Sequence, residues 1–162
     1  MKHFFIALLL SLATIAISSC KKETDYIYQV NDVDVKQNDG DKTQTKSKEE
    51  FISIAYSDIT GQSITRSQLE NLLLPYEAFG DYKLVEEMII KSFLNLPEAQ
   101  VPSNTDMQSD IPKFVNDAYR RFYNRDANEY EVWYIEKYIR ENSLDPKLVY
   151  YAIMTSNEYR YY

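Results

Sequence analysis

Beyond residue 20 the chain holds neither histidine nor cysteine: its one His is His3 and its one Cys is Cys20. Without an imidazole, Ser-His and Cys-His nucleophilic machinery cannot be built from that stretch. A zinc site of the usual nitrogen-and-sulfur type is excluded on the same ground. No glycine-rich phosphate loop occurs, which argues against a nucleotide. No cofactor and no metal are expected, and the chain does not read as an enzyme. A lone cysteine makes no intramolecular disulfide. Only 3 Gly and 5 Pro in 162 residues favour helices over a β-sandwich. Positive charge is short too, 18 Lys and Arg against 25 Asp and Glu, for a net charge of −7. A nucleic acid is therefore not an expected partner.

What is present begins with Met1-Lys2-His3 and an apolar run from Phe4 to Ile17. The run is shorter than the roughly 20 apolar residues that cross a bilayer. A cationic start and a short apolar stretch read as a signal peptide over residues 1–19. It closes on Ile17-Ser18-Ser19-Cys20, which resembles a lipobox, with small residues before a cysteine whose thiol takes a diacylglycerol. The resemblance implies a lipoprotein acylated at Cys20 with palmitate-like chains and held at a membrane of the cell envelope. Each buried methylene contributes about 0.8 kcal/mol to such an anchor. Position 21 is Lys, not the Asp of inner-membrane retention, so the outer membrane is expected. A Lys followed by acidic residues also resembles the export tag of surface-displayed lipoproteins. Residues 20–46 read as the lipidated Cys and a polar tether reaching roughly 30 Å as a flexible coil. Within it Tyr26–Val30 partly alternates, as a short strand would. Asp32, Asp34, Asp39 and Asp41 suggest calcium at first sight. The spacing breaks at Lys36 and no bidentate Glu closes a loop, so a solvated linker is expected.

The rest contains an internal duplication, over 47–100 and 110–162. At a shift of 63, Phe51, Ala55 and Tyr56 fall on Phe114, Ala118 and Tyr119; at 64, Asp81, Lys83, Leu84, Val85, Ile89 and Ser92 fall on Asp145, Lys147, Leu148, Val149, Ile153 and Ser156. Helix punctuation repeats with it. Ser47 with Glu50, Thr65 with Gln68, and Asn128 with Glu131 have the spacing of capping boxes. Asp81, Asp110 and Asp145 can cap three further helices, and Pro146 suits a first turn. Gly61 and Asn124 tolerate the left-handed conformation that ends a helix. Apolar faces recur at helical period: Phe51, Ala55, Ile59; Leu69, Leu72, Leu73, Tyr76; Val85, Ile89, Ser92, Phe93; then Phe114, Ala118, Phe122; Val132, Ile135, Ile139; Val149, Ala152, Ile153, Ser156. An all-α, six-helix domain of two tandem three-helix repeats is expected. Three short helices bury too little alone, whereas six share a viable core.

In the second repeat, Ala118-Tyr119-Arg120-Arg121-Phe122-Tyr123-Asn124-Arg125-Asp126 is similar to the Tyr-Arg-Arg…Gly-Arg-(Asp/Glu)-Pro opening of small helical domains of extracellular bacterial proteins. Those domains end in Ser-x-Glu-Tyr-Arg, here Ser156-Asn157-Glu158-Tyr159-Arg160. The outline also resembles the phycobilisome linker domain, a helical module that joins other proteins. It covers residues 114–160 well and 51–98 faintly. Asn124 stands for the usual Gly and Ala127 for the usual Pro; in the first repeat Gly61 is kept but Gln62 replaces the Arg. The resemblance implies a helical fold and a scaffolding or adhesive role, with Tyr119, Arg120, Arg125, Ser156, Glu158 and Tyr159 as its motif residues and no catalytic ones.

Ten of the 15 tyrosines lie at or after Tyr119. At 100° per residue Tyr130, Trp133 and Tyr134 stand roughly opposite Val132, Ile135 and Ile139 on the fifth helix. Their equivalents in the first repeat are the polar Ser67, Glu70 and Asn71. On the sixth helix Tyr150 and Tyr151 replace Glu86 and Glu87. Two readings follow. The aromatic face packs as a half-buried seam between the repeats or under the C-terminus, or it is a binding surface, since Tyr and Trp are enriched at interface hot spots. The expected function is a membrane-anchored, non-enzymatic protein-interaction or assembly module that holds an envelope protein. The alternative is a glycan-binding surface lipoprotein using Tyr130, Trp133, Tyr134, Tyr150 and Tyr151 to stack on polysaccharide. A distant alternative is a hydrolase built on Glu86 with Glu87 or Asp126 with Glu129, against which such charges ordinarily serve solubility and the helix dipole.

Overall fold

The computed structural model describes residues 44–161, so Cys20, the signal peptide, most of the tether and the Tyr26–Val30 stretch lie outside the described residues. Seven α-helices follow one another: α1 (Lys48–Thr60), α2 (Arg66–Ala78), α3 (Tyr82–Phe93), α4 (Asn104–Ser109), α5 (Ile111–Tyr123), α6 (Glu129–Asn142) and α7 (Pro146–Met154), then a 3₁₀ turn, Glu158–Arg160. Six stand where the punctuation places them. Ser47 Oγ accepts the Glu50 N–H at 3.2 Å while Glu50 accepts the Ser47 N–H at 2.7 Å. Thr65 with Gln68, and Asn128 with Glu131, close the same reciprocal box. Asp81, Asp110 and Asp145 each accept one amide of the first turn, from Leu84, Lys113 and Leu148. Each cap satisfies donors that the helix itself cannot, worth about 1 kcal/mol. Gly61 at φ 71° and Asn124 at φ 55° end α1 and α5 in the left-handed region. A Cβ on Gly61 would stand 2.7 Å from Gln100 Nε2, which donates to the Thr60 carbonyl, so both the turn and its neighbour require glycine.

The seventh helix is additional to the expected six. It fills the connection between the repeats: Ser103 and Asp106 form a capping box that the duplication could not reveal, and Met107 is fully buried beneath it. Two assignments to the apolar faces are corrected. Ser92 and Ala152 are exposed, because the buried stripes advance by i+4, through Val85, Ile89 and Phe93 and through Val149 and Ile153.

Within the first repeat α1 packs on α2 and α3; within the second α5 packs on α6 and α7; α3 meets α7 between them. The cores of both repeats merge into one cluster that includes Phe51, Ile52, Ile59, Ile90, Val115 and Met154. Equivalent residues touch each other across the seam. Tyr151 donates to Glu87 at 3.4 Å, 64 residues away, and Arg121 Nε donates to the Asp58 carbonyl at 2.5 Å, 63 residues away. Residues at equivalent positions of the two repeats therefore meet at the seam. Arg121 also donates to the carbonyls of Ile59 (3.2 Å) and Gln100 (2.9 Å), neutralising the negative end of α1.

The C-terminal turn locks this arrangement. Tyr159 is fully buried, edge-on to Phe51 and Phe122, and its hydroxyl donates to Asp58 Oδ2 at 2.7 Å. Its carbonyl accepts from the Lys46 ammonium, while the Lys46 N–H donates to the Arg160 carbonyl at 2.9 Å and Thr45 bridges Tyr161 antiparallel. Entry to and exit from the helical domain are thereby tied together.

Candidate functional site

Two sets of residues were expected to matter, and the fold separates them. The motif residues form an internal clamp. Arg125 is held at the turn after α5, its guanidinium over the rings of Tyr119 (5.0 Å) and Tyr123 (5.5 Å). Its Nε and Nη2 donate to Glu158 at 2.7 and 2.8 Å, and Nη1 and Nη2 donate to Glu131 at 2.9 and 2.8 Å. A planar fork suits two carboxylates arranged in this way, which an ammonium could not match. Burial pushes the Glu131 carboxyl up, but the bonds from Arg125 and from the Asn128 amide outweigh it and hold it below its ordinary value. Ser156 Oγ lies 2.7 Å from the Tyr123 hydroxyl. Arg160 pairs with Glu86 at 2.9 Å, and burial raises the Glu86 carboxyl despite that partner. Only Arg120 of the motif is on the outside, paired with Asp126 at 2.5 Å. The run Glu158-Tyr159-Arg160 thus fastens, in order, to the turn after α5, to α1 and to α3.

The aromatic set divides. Tyr150 does not reach the surface: it is 4% exposed, stacked on Phe114 (5.5 Å, 6°) and edge-on to Phe122 (4.8 Å). Its place in a binding face is corrected to a place in the core. Tyr151 is half-buried at the seam between the repeats, on Glu87. The seam reading thus describes Tyr151. The α6 residues do the opposite. Tyr130 is 67% exposed, Trp133 54% and Tyr134 44%. Ile139 is buried and Val132 and Ile135 half-buried on the other side, so the helix turns its aliphatic face to α5 and its aromatic face out.

Sequence reasoning missed the fourth member, Tyr138, 48% exposed and four residues beyond Tyr134. The i, i+4 spacing from Tyr130 through Tyr134 was the available signal. Successive rings touch: Tyr130 to Trp133 at 5.8 Å, Tyr130 to Tyr134 at 6.0 Å, Tyr134 to Tyr138 at 5.0 Å. Lys137 lies 5.4 Å from the Trp133 ring, and the neighbouring Tyr138 hydroxyl pushes the Tyr134 phenol up. The result is a ridge of four rings, about 12 Å long at 1.5 Å per residue. Aromatic surface left in water on this scale is uncommon on a monomeric protein without a binding role. Neighbouring planes are tilted by 22° to 41°, so the ridge is convex and stepped, not one flat platform.

Three of the four carboxylates considered for hydrolysis have partners of their own. Glu86 is buried on Arg160 while Glu87 is half-buried beside Tyr151; Asp126 is engaged by Arg120. Among the described residues no group of three or more His, Cys, Asp or Glu is placed to hold a metal ion, and no helix is long and apolar enough to cross a membrane. No protein-family model matches the chain, and no curated protein and no solved structure matches it.

Proposed function

We propose that this chain is a membrane-anchored, non-enzymatic lipoprotein whose helical domain docks an envelope protein through the α6 ridge. The observation that carries the reading is the exposure of four aromatics that touch in sequence, Tyr130, Trp133, Tyr134 and Tyr138, on one face of a single helix. Their i, i+3/i+4, i+8 order is that of an amphipathic helix whose anchors enter a partner's groove. Rigid rings give large contact area at low entropy cost. The stepped ring planes suit side-chain pockets better than the flat face of a sugar chain. The lipobox at Cys20 supplies the anchor and the polar tether the reach. The similarity of the motif to helical domains of extracellular proteins and to linker domains agrees with an assembling role.

The test is affinity purification with gentle crosslinking of the full-length chain from membranes of cells that produce it. A stoichiometric envelope protein that is lost on Trp133→Ala/Tyr134→Ala supports the reading. No protein partner, together with polysaccharide retention lost in the same variant, would replace it with glycan binding.

A further inference from the structure

A second surface is built on different chemistry. The end of α3 and the start of α7 enclose an open cleft of about 350 Å³. Leu94, Leu148 and Tyr151 give it an apolar lining; Leu148 is 49% exposed although it is a large aliphatic side chain in the first turn of a helix. Lys91 comes from one wall and Lys147 from the other. The Lys147 ammonium donates to Asn95 Oδ1 at 3.2 Å, which holds it at the rim. Asp145, which also lines the cleft, is engaged as the cap of α7.

Most other cations have a carboxylate partner: Lys48 has Glu77, Arg66 Glu70, Lys113 Asp117, Lys137 Glu141, Arg140 Glu136 and Arg160 Glu86, while Arg121 is taken up by backbone carbonyls. Among the described residues no carboxylate forms an ion pair with Lys91 or Lys147, in a chain with a net charge of −7. Two ammoniums without a carboxylate partner, on either side of an apolar floor, complement a ligand that has carboxylates beside a large apolar group. The cleft is open along its length, so an extended chain fits it better than an enclosed small molecule.

We infer that the α3–α7 cleft is a docking site for an acidic segment of a partner protein, with its carboxylates on Lys91 and Lys147 and an apolar side chain between Leu94, Leu148 and Tyr151. The site is independent of the α6 ridge. The reactants carry opposite charge, so binding weakens with salt.

The experiment is selection of a phage-displayed library of random dodecapeptides on the full chain in detergent. The expected winners carry two or more acidic residues flanking a large aliphatic or aromatic one. A synthetic winner is then expected to bind the Lys91→Glu/Lys147→Glu variant at least tenfold more weakly, and the Trp133→Ala/Tyr134→Ala variant unchanged. Circular dichroism checks the folding of each variant, and Lys91→Gln/Lys147→Gln decides if charge reversal unfolds the chain. No enrichment, winners without acidic residues, equal binding to the lysine variants, or loss confined to the α6 variant would each overturn the inference.

Discussion

Arg125 is the residue whose loss tests the clamp most directly. Replacing it with Ala leaves Glu131 and Glu158 facing each other without the guanidinium that separates them, and uncovers the rings of Tyr119 and Tyr123. Breaking a fully buried pair costs about 3–5 kcal/mol. Here the side chains of Arg125, Glu131 and Glu158 keep 18%, 23% and 33% of their exposure, so solvent screens part of the loss. A cost of about 2–3 kcal/mol follows, which for a domain of this size lowers Tm by about 10 °C. Arg125→Lys keeps the charge and loses the fork, and is expected to cost about 1 kcal/mol. The pH dependence supplies a second check. The folded Glu131 carboxyl lies below its unfolded value, so its contribution is present above that unfolded value, about 4.3. It is lost as pH falls through the lower, folded value. The gap between the wild type and Arg125→Ala is therefore wide at pH 7 and narrows below about pH 4. Urea unfolding followed by far-ultraviolet circular dichroism at pH 7 and pH 3 measures both. An Arg125→Ala variant within 2 °C of wild type at pH 7, or a gap that does not change with pH, would refute the ionic account.

The other expectations concern the core, the seam and the ridge. Tyr150→Ala removes a ring stacked between Phe114 and Phe122 and should cost about 3–5 kcal/mol in chemical denaturation; a loss below about 1 kcal/mol would restore Tyr150 to the surface. Asp58 has its carboxyl raised by burial, which outweighs the Tyr159 hydrogen bond and the Lys46 and Arg121 charges that lower it. A raised acid destabilises the fold when ionised, so this cost is relieved as pH falls through the folded value and is absent below the unfolded one. Asp58→Asn, which still accepts from Tyr159, should stay within about 1 kcal/mol of wild type, whereas Asp58→Ala orphans the buried hydroxyl and loses about 1–3 kcal/mol; equal losses would show that the hydrogen bond is unimportant. Trp133→Ala/Tyr134→Ala should move Tm by no more than about 2 °C, the response of exposed positions, and a larger drop would mean that the ridge holds the fold.

The helices were readable because their signals are local. A cap and its amide lie three residues apart, and Ser47, Thr65, Asp81, Asp110, Asn128 and Asp145 each announce a helix without reference to the rest of the chain. The short α4 was missed because Ser103 and Asp106 stand between the repeats and have no counterpart to compare. Tyr150 was misplaced for a different reason. Its equivalent, Glu86, suggested a wet position, yet Glu86 is itself buried, satisfied by Arg160 from 74 residues on. A partner so distant leaves no trace in helical periodicity. The same holds for the motif: Glu158, Tyr159 and Arg160 were recognisable as a unit, but that each fastens to a different element is a property of the folded chain. On α6 the outward direction of Tyr130, Trp133 and Tyr134 was legible from their phase against Ile135 and Ile139. Tyr138 carries no such contrast between the repeats, because its own equivalent is Pro75, which is not polar.

The seam between the repeats decides which differences between them packing requires. Where equivalents meet, identity is a handicap: two aspartates at positions 58 and 121, or two glutamates at 87 and 151, would place like charges against each other. Instead Tyr151 donates to Glu87, and Arg121 takes the backbone carbonyl of residue 58 with its positive charge near the Asp58 carboxylate. Divergence there follows from the fold. The outer face of α6 is under no such pressure. Ser67, Glu70 and Asn71 show that the equivalent face of α2 is stable as an exposed polar surface. Replacing such residues with Tyr130, Trp133 and Tyr134 moves apolar area into water, where it adds nothing to the core and favours aggregation. Packing asks for none of it, which is why the proposed docking role is placed on this face and not at the seam.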